Sequence, residues 1–140
     1  MTTPVRLQLS RRKGFDLQGV SRATNGLEAV NVARPSILGN PFIVGTHGTR
    51  AECVRLFLAI CDGLVPLTLG DGVFEAARAY PYVVEAQTAR LRGKNLACWC
   101  QRPKPGEADL CHAAVLLGWV NNADVEACRA ALRPICEAVR

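Results

Sequence analysis

No stretch of this 140-residue chain holds the ~18 consecutive apolar residues that a membrane span needs. The amino-terminal run MTTPVRLQLSRRKG has no apolar signal core, so export is not expected and a cytoplasmic location is. Neither a Gly-Lys-Ser/Thr phosphate loop nor a G-x-G-x-x-G turn occurs, which argues against ordinary ATPases and dinucleotide dehydrogenases. The zinc-deaminase signature is missing, and no paired carboxylates support hydrolysis of a glycosidic bond. Aromatic residues make up only 6% of the chain, leaving few platforms on which single-stranded nucleic acid could stack. There is no internal repeat and no low-complexity segment.

What is present describes a single globular domain. Apolar residues are 49% and charged residues 21%, and the length suffices for a hydrophobic core without staples. Seven cysteines, an odd number, in a reducing compartment point to metal, catalysis or packing before disulfides. The net charge of +5 is carried entirely by residues 1–55, where eight Arg/Lys face three acids, with Arg11-Arg12-Lys13 as the densest point. Phosphate-bearing partners, nucleotide or nucleic acid, complement such a segment. A solvated basic loop that serves only solubility is the alternative.

Val5 to Leu9 alternates apolar and polar residues at the period of a half-buried strand. Residues 10–27, rich in Ser, Arg, Gly and Asn, read as a loop with turns at Gly14, Gly19 and Asn25-Gly26. Ala29 to Ala33 predicts a second strand and Phe42 to Val44 a third short one. Thr49-Arg50-Ala51-Glu52 fits a capping box opening a helix that buries Cys53, Leu56, Phe57 and Ile60, with Gly63 as its left-handed stop. Residues 63–72 read as a loop, and Phe74 to Arg92 as a helix broken or kinked at Pro81 and stopped by Gly93. A buried strand over Asn95–Trp99, a helix over Leu110–Val120 and a last helix over Asp124–Val139, kinked at Pro134, complete the chain. Strands leading into helices favour an α/β class: a single compact domain with a small sheet flanked by helices.

Chemistry concentrates between Gly93 and His112. Cys98, Cys100, Cys111 and His112 sit at the end of one strand and the start of a helix, where open α/β sheets place binding sites. Four Cys/His groups are the right number and type for tetrahedral zinc. Adjacent Cys111 and His112 would point about 100° apart on a helix, which limits the site to one of them. A second reading needs no metal: Cys111 at a helix amino end becomes a thiolate nucleophile with His112 as base. In a third, the thiols are small hydrophobes in a core; Cys53, Cys61, Cys128 and Cys136 are assigned to packing in this way.

The second constellation is Arg34-Pro35-Ser36-Ile37-Leu38-Gly39-Asn40-Pro41-Phe42, where two prolines and a glycine fix a loop path. Arg34 and Ser36 are candidate phosphate ligands and Asn40 a candidate for orienting a substrate. A rigid turn in which Asn40 bonds its own backbone is the structural alternative.

Three ordered motifs, Ser10-Arg11-Arg12-Lys13-Gly14-Phe15, Arg34-Pro35-Ser36 with Gly39-Asn40-Pro41-Phe42, and Leu91 to Cys100 with Cys111-His112-Ala113, resemble one family. It is the domain-of-unknown-function family number four-three-two-six, common in bacteria and their phages. The resemblance covers residues 4–121 and leaves 122–140 as a C-terminal helical extension packed on the same domain. Leu38 stands where the family usually has an aromatic residue, and the loop between Cys100 and Cys111 is long. The family name implies a common site without naming its chemistry.

Taken together, these features point to a small cytoplasmic protein, first an enzyme on a nucleotide, nucleoside or nucleic-acid substrate, by hydrolysis or group transfer. Cys100, Cys111, His112 and Asn40 are its candidate catalytic residues, and Arg11, Arg12, Lys13, Arg34 and Ser36 its phosphate ligands. Cys98, Cys100, Cys111 and His112 are the candidate zinc ligands. The alternative is a non-catalytic nucleic-acid-binding or phage accessory module with a structural zinc.

Overall fold

The computed structural model describes residues 2–62, 64 and 71–140 and shows a single α/β domain. Its sheet has three strands, β1 (Arg6–Gln8), β2 (Ala29–Asn31) and β3 (Asn95–Cys98), in the order β1-β3-β2. Both pairings are parallel, with Leu7 opposite Ala97 and Val30 opposite Leu96. As the middle strand of a parallel sheet, β3 is covered on both faces, and all four of its residues are buried. Its composition, Asn-Leu-Ala-Cys, reflects that position: three small or apolar side chains and one amide whose polar atoms are all satisfied.

That amide holds the start of the sheet together. Asn95 is fully buried; its Oδ1 accepts from Val5 N–H at 2.9 Å, and its Nδ2 donates to Ser21 Oγ at 2.8 Å. With Asn25 it forms a reciprocal amide pair, 2.9 and 2.8 Å long. Both partners from the Ser21–Asn25 stretch lie on a helix, α1 (Leu17–Asn25), where the local composition predicts loop. Helix propensity is low there, but two parallel strands require a crossover connection, and tertiary bonds stabilise a helical one. Gln18 bonds both the N–H and the C=O of Ala29, and Ser21 donates to Leu27 C=O. Gly19 is helical, and Gly26 closes the helix at φ 80°, a left-handed cap that a β-carbon disfavours.

The remaining helices are α2 (Arg50–Cys61), α3 (Asp71–Leu91), α4 (His112–Val120) and α5 (Val125–Ala138). The Thr49 capping box forms in full, with the Thr49 hydroxyl accepting from Glu52 N–H and the Glu52 carboxylate accepting from Thr49 N–H. The buried stripe of α2 is Cys53, Val54, Phe57 and Ile60, while Leu56 is half-buried. Helix α3 is continuous through Pro81, because Ala77, Tyr80 and Val84 anchor it in the core on both sides of the proline. Helix α5 is likewise continuous through Pro134. Asp71 and Gly72 belong to α3; Gly63 and residues 65–70 of the expected loop lie outside the described residues.

Phe42 to Val44 is not a strand. Phe42 N–H donates to Asn40 Oδ1 and Ile43 N–H to His47 Nδ1, so local side chains take the donors a ladder would need. Phe42 is buried in the core while Ile43 and Val44 are exposed. Helix α4, apolar on every side, packs against β1 and β3 and against α2 and α5. Ile135 and Val139 of the carboxyl-terminal segment join the same core. Among the described residues no helix is long and apolar enough to cross a membrane.

Replacing Asn95 by Ala strands the Val5, Ser21 and Asn25 groups and opens a void, and is expected to lower stability by about 3 kcal/mol in urea denaturation. A change within ~0.5 kcal/mol would show that the amide network does not hold the sheet to α1.

Candidate functional site

Because the three strands are parallel, their carboxyl ends open at one edge, and three segments leave the sheet there side by side. Arg11 follows β1, Arg34 follows β2, and Trp99 and Cys100 follow β3. Together with the start of α4 they line a cavity of about 300 Å³. Of the residues singled out in the sequence, Arg11, Arg34, Asn40, Cys98, Cys100, Cys111 and His112 meet on it. Arg12, Lys13 and Ser36 do not line it. Arg12 and Lys13 are exposed on the turn after β1, and the Ser36 hydroxyl accepts from Leu38 N–H within its own loop.

The three sulfurs of Cys98, Cys100 and Cys111 lie within 4.8 Å of one another and can hold a metal ion. Cys98 Sγ is 3.8 Å from Cys100 Sγ, the edge of a tetrahedron whose metal–sulfur bonds are ~2.3 Å. Cys111 joins the sulfur cluster and His112 is not among its three members, in keeping with the expectation that only one of the pair belongs to the site, although the His112 ring stands close by. Cys111 is the residue before α4 and has an extended backbone, φ −142° and ψ 138°, so the 100° step between helical neighbours does not apply. His112 Nδ1 lies 3.8 Å from Cys98 Sγ and 4.0 Å from Cys111 Sγ.

The tautomer of His112 follows from its other nitrogen. Nε2 is 2.8 Å from the Val32 carbonyl oxygen, which can only accept, so Nε2 carries the proton. Nδ1 then turns a lone pair toward the sulfurs, the arrangement by which metal-bound imidazoles are oriented by a backbone carbonyl. Burial pushes the His112 pKa down, against the lift from the Val32 bond, which keeps the ring neutral and fit to ligate.

Three crowded thiols do not share charge equally. The Cys98 thiol is pushed down, first by its hydrogen bonding with Cys100 and then by that with Cys111. Cys111 is pushed up, by its hydrogen bonds to Cys100 and Cys98 and by burial. One thiolate is therefore favoured and a third resisted unless a cation joins them.

Arg6 fixes the loop that carries this cluster. Alternation in β1 would turn Arg6 to solvent, yet it is 5% exposed. Its Nε and Nη2 form a two-pronged ion pair with Asp109, at 2.7 and 2.8 Å. Its Nη1 donates to the Cys100 carbonyl and its Nη2 to that of Gln101, the latter at 3.0 Å. One guanidinium thus ties both ends of the Cys100–Cys111 loop to the sheet. Burial alone would lower its pKa; the Asp109 bond and the nearby Cys111 and Cys100 sulfurs outweigh that and raise it.

The cavity lining is also cationic, with Arg11, Arg34 and Arg50. Arg34 Nη1 donates to the carbonyls of Asn40 and Phe42, at 2.8 and 3.3 Å, and Arg50 Nε donates to the Leu110 carbonyl at 2.7 Å. Gly39 permits the Arg34 loop to close: a β-carbon there would sit 2.7 Å from Arg34 Cγ and 2.9 Å from its backbone nitrogen. Asn40 Oδ1 forms the local turn anticipated as the structural alternative, while its amide nitrogen makes no hydrogen bond among the described residues. No aspartate or glutamate lines the cavity among the described residues.

Sequence reasoning missed Arg6, Asp109, Arg50 and Trp99 as parts of the site; only Trp99, lying between two candidate ligands, carried a local signal. Cys53 is buried as expected, but Cys61 and Cys128 are half-buried and Cys136 is exposed on α5. These last three line a larger groove of about 690 Å³ along α5 that holds none of the cluster residues.

Asp109→Ala leaves the Arg6 charge buried without its partner, and a loss of about 3 kcal/mol in urea denaturation is expected. Faster labelling of Cys100 by a thiol reagent should accompany it. Unchanged stability and labelling would remove Arg6 and Asp109 from the role of loop clamp.

A family model described as Domain of unknown function (DUF4326) matches residues 18–122. Neither a curated protein nor a solved structure matches the chain.

Proposed function

The chain belongs to the DUF4326 family, and from that premise we propose that it is a zinc protein that binds a phosphate-bearing ligand, nucleotide in class, in the cavity beside the metal. Cys98, Cys100, Cys111 and the Nδ1 of His112 would hold the zinc. The observation that carries this part is the trio of sulfurs within 4.8 Å of one another; His112 Nδ1, its lone pair within 4.0 Å of the Cys98 and Cys111 sulfurs, would have to move toward Cys100 to complete the set. Four protein ligands make a closed site, which stabilises a fold and does not present an open position. Zinc here would secure the end of β3, the loop after it and the start of α4, and so hold the cavity floor rigid.

Ligand binding falls to the arginines that line the same cavity. Arg34 and Arg50 are each anchored by a backbone carbonyl, so their remaining N–H groups are set in place before an anion arrives. With Arg11 they give the cavity three guanidinium groups and no carboxylate to offset them. That imbalance favours phosphate over neutral ligands.

A second reading, an enzyme that turns over its nucleotide, nucleoside or nucleic-acid ligand through the cluster, draws on the cavity's opening directly onto Cys98, Cys100 and Cys111. Arg12 and Lys13, exposed outside the cavity, are the groups that a non-catalytic nucleic-acid module would use, with salt-steep affinity.

Protein purified without chelator is expected to carry about one zinc per chain, and Cys98→Ser, Cys111→Ser and His112→Ala should each reduce that content. Calorimetry with inorganic phosphate should show binding that Arg34→Ala abolishes. Metal-free protein, or full zinc retention in His112→Ala, would overturn the four-ligand centre. Binding of phosphate unchanged in Arg34→Ala would overturn the cavity assignment.

A further inference from the structure

We infer that the cavity is a mononucleotide site in which one base stacks on Trp99 beside Arg11 while Arg34 and Arg50 hold its phosphate. The inference rests on the phosphate reading above and adds the base to it.

Trp99, the residue after the fully buried strand β3, is 44% exposed and lines the cavity. Its neighbours explain how it is held. Cys98 and Cys100 turn their sulfurs into the cluster, 3.8 Å apart, and Trp99 between them lines the cavity beside it. The guanidinium of Arg11 lies 5.0 Å from the centre of the indole ring. A flat cation resting on an indole marks a surface that also receives a flat, electron-rich heterocycle, and arginine is itself a stacking partner for bases.

The cavity therefore offers two kinds of surface. Arg34 and Arg50 suit a phosphate; Trp99 with Arg11 suits an aromatic ring. A sugar phosphate or a free phosphate uses only the first. A nucleotide uses both. The volume of about 300 Å³ lies at the small end of ligand cavities, which run roughly 300–1,000 Å³, and fits one nucleotide better than a strand. A strand would also need successive aromatic platforms. The other exposed aromatic residue among those described, Tyr82, sits on α3 and lines no part of the cavity.

The test uses the two tryptophans. Trp119→Phe leaves Trp99 as the sole tryptophan, so its fluorescence reports stacking directly. The zinc-loaded variant is titrated with adenosine monophosphate, uridine monophosphate, ribose 5-phosphate, inorganic phosphate and a thymidine octanucleotide. Saturable quenching by both nucleotides is expected, with binding about 10-fold tighter than that of ribose 5-phosphate. In the chain that retains Trp119, Trp99→Ala should reduce nucleotide affinity to the ribose 5-phosphate level, and Trp99→Phe should keep most of it. Equal affinities for ribose 5-phosphate and the nucleotides, without quenching, would overturn base stacking and leave the phosphate reading intact. Failure of every probe, inorganic phosphate included, would overturn both. An octanucleotide that binds far more tightly than either mononucleotide would overturn the mononucleotide site in favour of a strand.

Discussion

The insertion of β3 between β1 and β2, with every strand parallel, is the constraint on which the rest depends. It sends the segments after all three strands out at one edge, and the polar chemistry of the chain collects there. Arg11, Arg34 and Cys100 come from distant parts of the sequence and meet because each follows a strand. Asn95 at the other end of β3 gives the strand its anchor, with four hydrogen bonds to Val5, just before β1, and to α1 from one fully buried side chain. A sheet of three short strands has little surface to spare, so the pinning of its middle strand at both ends matters more than the hydrogen bonds along it.

The cluster edge is an electrostatic problem with one natural solution. Three sulfurs within 4.8 Å cannot all ionise next to one another, and burial adds to the cost. Arg6 supplies one buried positive charge nearby, but it is committed to Asp109 and to the Cys100 and Gln101 carbonyls. A divalent cation bound by the sulfurs would remove the conflict, and the neutral His112 ring beside them keeps its proton on Nε2, bonded to the Val32 carbonyl. The same cation would leave the cavity wall of Arg11, Arg34 and Arg50 free to meet an anion from solvent.

Much of this was legible in the sequence, and the part that was not has a common cause. The cluster could be read because its four groups lie within fifteen residues of chain, and α2 because its capping box is a local device. Arg6 could not: its partner Asp109 is 103 residues away, and without that partner an arginine in an alternating strand belongs to solvent. Helix α1 failed for a similar reason: Gly19, Ser21 and Asn25 disfavour a helix locally, and Gln18, Ser21 and Asn25 are held in one by Ala29, Leu27 and Asn95. The apolar Phe42–Val44 run suggested a strand, yet Asn40 and His47 capture its N–H groups. Of the adjacent pair, Cys111 joins the sulfur cluster and His112 stands beside it, close because the chain is still extended at Cys111.

The most direct measurement is zinc-edge X-ray absorption on the purified, metal-loaded protein. The account predicts a shell of three sulfurs at ~2.3 Å and one nitrogen at ~2.0 Å with the outer-shell scattering of an imidazole. An oxygen in place of that nitrogen, or fewer than three sulfurs, would contradict the closed centre and with it the rigid floor on which the cavity is built.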